Sequence, residues 1–382
     1  MVLLCRSSLT SHLRYQKIST VVSAARRQMS SGEESDVIFQ SVNNKGVITL
    51  NRPKALNALN LQMVRKIYPT LKKWEQEKSM VIIKGAGEKA FCAGGDVRAL
   101  AEAGLKGNHI GKTFFKEEYT LNGLIGTYCI PYVALIDGIT MGGGVGLSVH
   151  GPYRVATERT VFAMPETTIG LFSDVGGSYF LSRLGGKLGL YLAVTGYRLK
   201  GLDVLKAGIA THYCESSKLP ELEKKLLDCQ NPDNDVRNIL DKATKESKIE
   251  GYEFSLAPHL KQIDECFSAP TMEEIFARLE KDGSEWAVKT LEGLRKVSPT
   301  SCKVIKKELE EGATKSLQEC LTMEFRLGSR FCDRLEFYEG VRALLIDKDQ
   351  KPNWNPKRLE DVTDELVDSH FAPLPPDEEL KL

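Results

Sequence analysis

Apolar residues recur in short runs along the first half of the chain and predict strands that alternate with helices. Two such runs, 37–42 and 47–50, flank the turn sequence Asn-Asn-Lys-Gly and predict a β-hairpin. Helical spacing follows over about 59–77, and apolar runs at 80–84 and 132–136 predict buried strands. This alternation of strand and helix indicates an α/β core.

The pattern changes near Pro220, beyond which the sequence is charged and helix-forming. Helical spacing predicts helices over 221–229, 236–248, 272–281, 285–297 and 302–311. We therefore assign 33–217 to the α/β core and 218–382 to a helical C-terminal region. The tail from Phe371 is rich in proline and is expected to be loosely held.

Two glycine segments each follow a predicted buried strand and precede a predicted helix. The first is Gly94-Gly95, ahead of helical residues 98–103, and the second is 142–144, ahead of 145–149. Glycine lets the backbone approach a ligand closely, and the start of a helix leaves amide N–H groups unpaired. Two such turns could offer one N–H group each to the same oxygen, which is the geometry of an oxyanion hole.

Two acidic residues, Glu166 and Asp174, follow in a loop marked by proline and glycine. Carboxylates beside amide donors suit acyl chemistry, because a carboxylate can act as a general base or as a nucleophile. Close approach of the two groups would raise the pKa of one of them by repulsion. An isolated loop glutamate is usually solvated, so the two glycine segments are what favour a functional site.

The first 32 residues predict a mitochondrial transit peptide. They carry five basic residues and seven serines, and no acidic residue precedes Glu33. This basic, serine-rich and acid-free composition is typical of such peptides and predicts a location in the mitochondrial matrix.

Composition limits the other classes of function. The chain has 52 basic and 51 acidic residues, a balance that does not favour nucleic acid as a partner, and no apolar run reaches the length of a membrane span. Nine cysteines without Cys-x-x-Cys spacing indicate neither a disulfide framework nor a structural zinc site. No set of potential ligands has metal-binding spacing, so we expect no metal.

Two segments have parts of other functional motifs, but neither fits the complete motif. Gly85-Ala-Gly-Glu-Lys-Ala90 has the glycine spacing of a dinucleotide fingerprint, but the glycine-rich segment 91–95 interrupts the helix that should follow. Gly146-Leu-Ser-Val-His150 departs from the G-x-S-x-G sequence of a nucleophile elbow. We therefore expect no nicotinamide cofactor and no serine nucleophile.

Several blocks together resemble the crotonase (enoyl-CoA hydratase/isomerase) superfamily. They are Ala90-Phe-Cys-Ala-Gly-Gly-Asp96, Met141-Gly-Gly-Gly, Met164-Pro-Glu166 and the N-terminal block 47–58. The resemblance implies a spiral of ββα units followed by the helical C-terminal region. Residues 339–356 are similar to a branch of the superfamily that hydrolyses short 3-hydroxyacyl-CoA thioesters in branched-chain amino acid catabolism.

The resemblance also implies roles for individual residues. The substrate carbonyl would accept hydrogen bonds from the amides of Gly95 and Gly143, Glu166 would be the catalytic nucleophile or base, and Asp174 would contact the 3-hydroxyl group. Glu118 matches a further substrate-contacting acid. Substrate and CoA contacts are also implied at the following positions: Arg52, Lys54, Ala55, Leu56, Ala93, Asp96 and Gly146.

Gly146 marks a departure from the hydratases of the superfamily, which have a glutamate there. Adding water across a double bond requires two acid–base groups, so this glycine argues against hydratase activity. The expectation is thioester hydrolysis without a cofactor other than the CoA of the substrate, with self-association possible. The alternatives are an enoyl-CoA hydratase/isomerase and a non-catalytic binding protein of the same fold.

Overall fold

The strands of the computed structural model alternate in sequence with helices and build two sheets. The structure describes residues 35–108, 110–247 and 249–382, so the predicted transit peptide, residues 1–32, lies outside the described residues. The strands in the described part are β1 Val37–Val42, β2 Lys45–Leu50, β3 Val81–Gly85, β4 Ala90–Cys92, β5 Tyr132–Ile136, β6 Ile139–Met141, β7 Tyr153–Ala156, β8 Val161–Ala163, β9 Leu199–Lys200 and β10 His212–Tyr213.

The order of the strands shows that successive units stack on one another. Within the described residues, one sheet has the order β1-β2-β3-β5-β7-β10 and the other β4-β6-β8-β9. The neighbours β3, β5 and β7 are parallel, and so are β4, β6 and β8. Each repeat thus contributes its first strand to the larger sheet and its second to the smaller one. This is the spiral of ββα units that the sequence resemblance implied.

Helices of the α/β part surround these sheets. Their bounds are α1 Leu61–Glu77, α2 Val97–Gly104, α3 Ile110–Gly126, α4 Gly143–Gly146, α5 Gly177–Phe180, α6 Leu188–Thr195 and α7 Leu202–Lys206. Short 3-10 turns occur at Pro53–Ala55, Glu166–Ile169, Leu181–Arg183 and Ser216–Lys218. The predicted helix 145–149 is wrong in its bounds, because the turn begins at Gly142, which has φ +44° and whose carbonyl accepts from Val145 N.

Helices dominate the rest of the chain. They are α8 Leu219–Asp228, α9 Pro232–Lys245, α10 Leu260–Phe267, α11 Met272–Asp282, α12 Glu285–Leu294, α13 Pro299–Gly312, α14 Leu317–Cys332, α15 Leu335–Val341 and α16 Asp364–Phe371. Further 3-10 turns lie at Ala257–His259 and Leu359–Asp361, and a π-helical turn spans Arg342–Ile346. Val37–Leu382 forms one compact unit, so these helices pack against the sheets. No helix in the described part of the chain is both long and apolar enough to cross a bilayer.

The larger sheet is buried on both faces, which explains its continuous apolar strands. Val81 and Ile83 of β3 belong to the main core, whereas Ile82 points to the other face. On that face it joins a second apolar cluster with Leu222 of α8 and Leu240 of α9. Side chains alternate between the faces of a strand, so both faces require apolar residues.

The tail from Phe371 is held in place, contrary to the expectation from its prolines. Leu374 and Leu380 are buried, with 7% and 4% of their surface exposed. Arg326 of α14 pairs with Glu379 at 2.8 Å. Leu374, between the prolines, and Leu380, beyond them, therefore anchor a segment that lacks regular hydrogen bonding.

Two helical glycines test how tightly the C-terminal region packs. A Cβ atom on Gly340 of α15 would lie 2.3 Å from the carbonyl carbon of Ile169, whereas one on Gly293 of α12 would meet no atom within 4 Å. We expect Gly340→Ala to lower the free energy of unfolding by about 1–3 kcal/mol, because the backbone it meets must move. Gly293→Ala should raise it by about 0.5–1 kcal/mol. Urea denaturation measures both, and equal effects would contradict close packing at Gly340.

Candidate active site

A cavity of about 300 Å³ lies where the glycine segments, the acidic loop and the C-terminal region meet. Its lining combines backbone amides, carboxylates and apolar side chains. The residues that line it are Ala93, Gly94, Gly95, Val97, Phe114, Phe115, Glu118, Met141, Gly142, Gly143, Pro165, Glu166, Thr168, Ile169, Leu171, Asp174, Gly196, Arg198, Leu344 and Leu345.

The two glycine segments meet at one side of this cavity. A Cβ atom on Gly143 would lie only 3.2 Å from the amide nitrogen of Gly95, so the two backbones are almost in contact. Gly143 is the first residue of α4, where an amide has no partner within its helix. Among the described residues, no hydrogen-bond acceptor is found for either amide. Two unpaired donors therefore lie side by side, as an oxyanion hole requires.

The N-terminal block holds the first of these segments in place. Leu59 N donates to Gly94 O at 2.8 Å, and Asp96 N donates to Leu59 O at 2.9 Å. These two bonds bracket Gly95 and form a parallel bridge between Leu59 and Gly95. Residues 47–58 form the N-terminal block that resembles the superfamily. Leu59 follows this block directly and fixes the position of the Gly95 amide.

Three carboxyl groups reach the cavity and are almost completely buried. Glu118, on α3, is 2% exposed, and Glu166 and Asp174 are each 5% exposed. Tyr119 Oη donates to Asp174 Oδ2 at 2.9 Å. Glu118 Oε1 and Glu166 Oε2 have no hydrogen-bond partner among the described residues. These free, buried oxygens are acceptors available to a substrate or to water.

Burial and mutual repulsion raise the pKa values of these acids. Burial, followed by the charges of Asp174 and Glu166, raises the pKa of Glu118 well above its usual value. Burial and the charge of Asp174 likewise raise the pKa of Glu166. Burial raises the pKa of Asp174 to about 7, although the Tyr119 hydroxyl opposes the shift. The three groups share one low-dielectric site, so they titrate as a coupled set.

Glu324 of α14 holds the loop that presents Asp174. Its Oε2 accepts from Gly176 N at 2.6 Å, and its Oε1 accepts from Ser178 N at 3.0 Å and from Ser178 Oγ at 2.6 Å. Val175 has φ +54°, a left-handed conformation that is strained for a β-branched residue. Three hydrogen bonds to one fully buried carboxyl group oppose relaxation of this turn.

A second buried acid, Glu308 of α13, lies behind the same turn. It is 0% exposed, and neither carboxyl oxygen has a hydrogen-bond partner in the part of the chain that the structure describes. A Cβ atom on Gly177 would lie 3.9 Å from Glu308 Oε1. Burial, with the charges of Glu324 and Asp174, raises the pKa of Glu308 well above its usual value. An unpaired buried acid of this kind favours its neutral form.

Some of the residues implicated by the sequence line the cavity and others do not. Glu118, Glu166, Asp174, Gly95, Gly143 and Ala93 lie together in its wall. Arg52 and Asp96 pair with each other at 3.1 Å instead, and Arg52 Nη1 also donates to Ala58 O. Lys54 and Ala55 are exposed and Leu56 is half-buried, all outside the wall.

Gly146 is also outside the wall, and it has no room for a side chain. A Cβ atom there would lie 2.7 Å from both Asn122 Nδ2 and Val175 Cβ. Both of these neighbours are fully buried. A carboxylate at this position would require the surrounding core to rearrange.

Sequence reasoning missed Tyr119, Arg198, Glu308, Glu324, Leu344 and Leu345. A buried glutamate on an amphipathic helix has the same local pattern as a solvated one, so periodicity gave no signal for Glu308 or Glu324. Leu344 and Leu345 could have been found, because they lie within the segment 339–356 that resembles the hydrolase branch. Within the described residues, no group of three or more potential ligands is arranged to hold a metal ion.

Comparison with known proteins supplies close relatives. The enoyl-CoA hydratase/isomerase family matches residues 45–371. The mitochondrial 3-hydroxyisobutyryl-CoA hydrolase of Danio rerio is 56% identical over 369 residues, which are 96% of this chain and 97% of that protein. The protein of the same name from Homo sapiens is 52% identical over 364 residues, 94% of each chain.

A solved structure of an acyl-CoA enzyme is also similar to this chain. The carnitinyl-CoA dehydratase from Mycobacterium thermoresistibile is 36% identical, with a TM-score of 0.84 over 91% of this chain and 99% of that one. The predicted α/β fold with a helical C-terminal region is thereby confirmed.

The buried acid Glu308 predicts a dependence of stability on pH. Its pKa is higher in the folded state than in the unfolded chain, so its stabilising contribution is complete at low pH and is lost as the pH rises through the folded-state pKa. We expect Glu308→Gln to match the unmodified protein near pH 5 and to exceed its free energy of unfolding by about 1–3 kcal/mol near pH 9.

Denaturation at both pH values measures the difference. The matched control is Glu310→Gln on the same helix, whose side chain is 62% exposed. The free energy of unfolding of this control should differ from that of the unmodified protein by the same amount at both pH values. A Glu308→Gln difference that does not grow with pH would contradict the burial of an unpaired acid.

Proposed function

Because the chain belongs to the enoyl-CoA hydratase/isomerase family, we propose that it acts on an acyl-CoA and hydrolyses the thioester of 3-hydroxyisobutyryl-CoA. The observation that carries the proposal is the single site at which two unpaired amides, Glu166 and Asp174 converge. The products would be the free hydroxy acid and CoA. 3-Hydroxypropionyl-CoA, which also has a 3-hydroxyl group, is a second expected substrate.

Hydrolysis fits the site better than hydration. A hydratase needs a second acid–base group opposite Glu166, and position 146 has no room for one. The relatives that are 52% and 56% identical are named as hydrolases, whereas the dehydratase is 36% identical. A non-catalytic binding protein is less favoured, because it would not need buried carboxyl groups, which are costly to maintain.

The proposed reaction uses each group in turn. The thioester carbonyl accepts from the amides of Gly95 and Gly143, which stabilise the negative charge that develops when the carbonyl carbon is attacked. Glu166 either removes a proton from the attacking water or attacks the carbon itself, forming an anhydride that water then cleaves. In both routes the C–S bond breaks, CoA leaves as the thiol, and the acyl group gains a hydroxyl from water.

Asp174 is proposed to recognise the 3-hydroxyl group of the substrate. Tyr119 occupies one of its oxygens, which leaves the other for the substrate. Glu118 also lies close to Gly143, since a Cβ atom on Gly143 would lie 2.5 Å from its Oε1. We assign it to substrate contact.

The exposed cation Arg198, at the cavity wall, and the exposed Lys54 are proposed to attract the phosphates of CoA. As part of the same proposal, Arg52, Ala55 and Leu56 stay assigned to the CoA entrance, and Ala93 and Asp96 stay assigned to substrate binding. The proposed reaction needs no cofactor beyond the CoA of the substrate.

Two further proposals concern the setting of the enzyme. The curated relatives are named as mitochondrial, and the acid-free N-terminal sequence supports the matrix as the location. Self-association stays a prediction that light scattering can test.

Replacing the proposed catalytic carboxylate should abolish most of the activity. We expect Glu166→Gln to lower kcat by about 10²–10⁴ as a base and by more as a nucleophile, because an amide can fill neither role. Release of free thiol from 3-hydroxyisobutyryl-CoA measures the rate. The control Glu117→Gln changes a half-buried glutamate that pairs with Arg65 outside the cavity wall, and it should keep its activity. Turnover of Glu166→Gln close to that of the unmodified enzyme would remove Glu166 from the chemistry.

Substrate choice tests the role of Asp174. The unmodified enzyme should favour 3-hydroxyisobutyryl-CoA over isobutyryl-CoA by about 10²–10³ in kcat/KM, because the second substrate leaves the other oxygen of the buried Asp174 carboxyl group unpaired. Asp174→Asn should reduce this ratio. Equal rates with both substrates would contradict hydroxyl recognition, and rapid hydration of crotonyl-CoA would contradict the proposed reaction.

A further inference from the structure

Two leucines from the C-terminal region form one wall of the cavity. Leu344 and Leu345 lie in the π-helical turn Arg342–Ile346 and line the same space as Glu166 and Asp174. Both are only half-buried, although they pack against the main core. A half-buried apolar pair that faces an enclosed site offers its free surface to whatever enters that site.

A network of charges around Arg342 holds this turn. The guanidinium group contacts both oxygens of Glu339 at 2.8 Å, Asp347 at 2.6 Å and Asp349 at 2.8 Å. Glu339 Oε1 also accepts from Asn353 N at 2.7 Å. A planar guanidinium group bound by several carboxylates fixes the direction of the chain on both sides of the turn.

The wall is docked directly on the turn that carries Glu166. A Cβ atom on Gly340 would overlap Ile169, and one on Gly170 would lie 2.6 Å from Glu336 O and 3.0 Å from the ring of Trp354. Trp354 is itself anchored, since its Nε1 donates to Lys296 O at 3.0 Å. The distance between the leucine wall and Glu166 is therefore set by backbone contact, without a flexible linker.

We infer that Leu344 and Leu345 limit the length of the acyl group that the enzyme accepts, an inference that rests on the proposed thioester hydrolysis. Ligand cavities commonly hold about 300–1,000 Å³, so this cavity, at about 300 Å³, is small. A short branched acyl group fits beside Glu166, whereas a longer chain meets the leucines. Because the wall is rigid, it excludes the longer chain and does not yield to it.

Truncation of each leucine tests the inference. Leu344→Ala and Leu345→Ala are compared with the unmodified enzyme in a thiol-release assay on 3-hydroxyisobutyryl-CoA and 3-hydroxyhexanoyl-CoA. We expect the ratio of kcat/KM for the longer over the shorter substrate to rise at least tenfold in one or both variants, since a methylene group in an apolar pocket is worth about 10–200-fold. The matched control, Leu335→Ala, removes a leucine of α15 that is 78% exposed and should leave the ratio unchanged.

The outcomes separate this inference from the proposed function. If the unmodified enzyme releases no thiol from 3-hydroxyisobutyryl-CoA, the proposed function is wrong. If it does release thiol, and both variants keep the original ratio or lose activity equally with both substrates, only the inference about Leu344 and Leu345 is wrong. Should an alanine variant fail to fold, Leu344→Val and Leu345→Val remove one methylene group each, and their ratio must rise in the same direction.

Discussion

The close contact between the two glycine turns is the constraint on which the site depends. Successive units stack in parallel, so the end of β4 lies beside the end of β6. A Cβ atom on Gly144 would lie 2.2 Å from Cys92 O, which means that no side chain fits between the two turns. Glycine at this contact lets the amides of Gly95 and Gly143 face the same point. The proposed oxyanion donors are thus a direct result of how one ββα unit packs on the next.

The acids show how the fold offsets an electrostatic cost. Burial raises the pKa of five carboxyl groups from both parts of the chain, and the charge of Asp174 adds to the shift of the other four. Burying such groups costs stability unless they are neutral or hydrogen-bonded. Glu324 meets this requirement through three hydrogen bonds, although burial still raises its pKa to about 8. Glu308 has no hydrogen-bond partner in the described part of the chain, so its burial costs stability as the pH rises. The C-terminal helices therefore supply both the hydrogen bonds that hold the loop of Asp174 and the unpaired acid behind it.

The sequence predicted the elements whose signal is local. The hairpin turn at 43–46 was readable because asparagine and glycine are the residues that tolerate the positive φ of a tight turn. Asn43 and Asn44 both adopt a positive φ in the structure. The three-residue strand β6 was not readable, since it is too short to show alternation. Within the site, Glu166 and Asp174 stood out beside glycine and proline, but Glu324 contacts a backbone amide 148 residues away. Contacts over such distances leave no local pattern, so only the folded chain shows them.

The crowding around Gly146 limits how the chemistry of the site can be redesigned. Asn122 and Val175 close over this position, so a carboxylate introduced there would collide with both neighbours before it could act. Substitutions at residues in contact are not additive, so a second acid opposite Glu166 would require coordinated changes at three positions. The packing of this one glycine thus prevents a change of reaction by a single substitution.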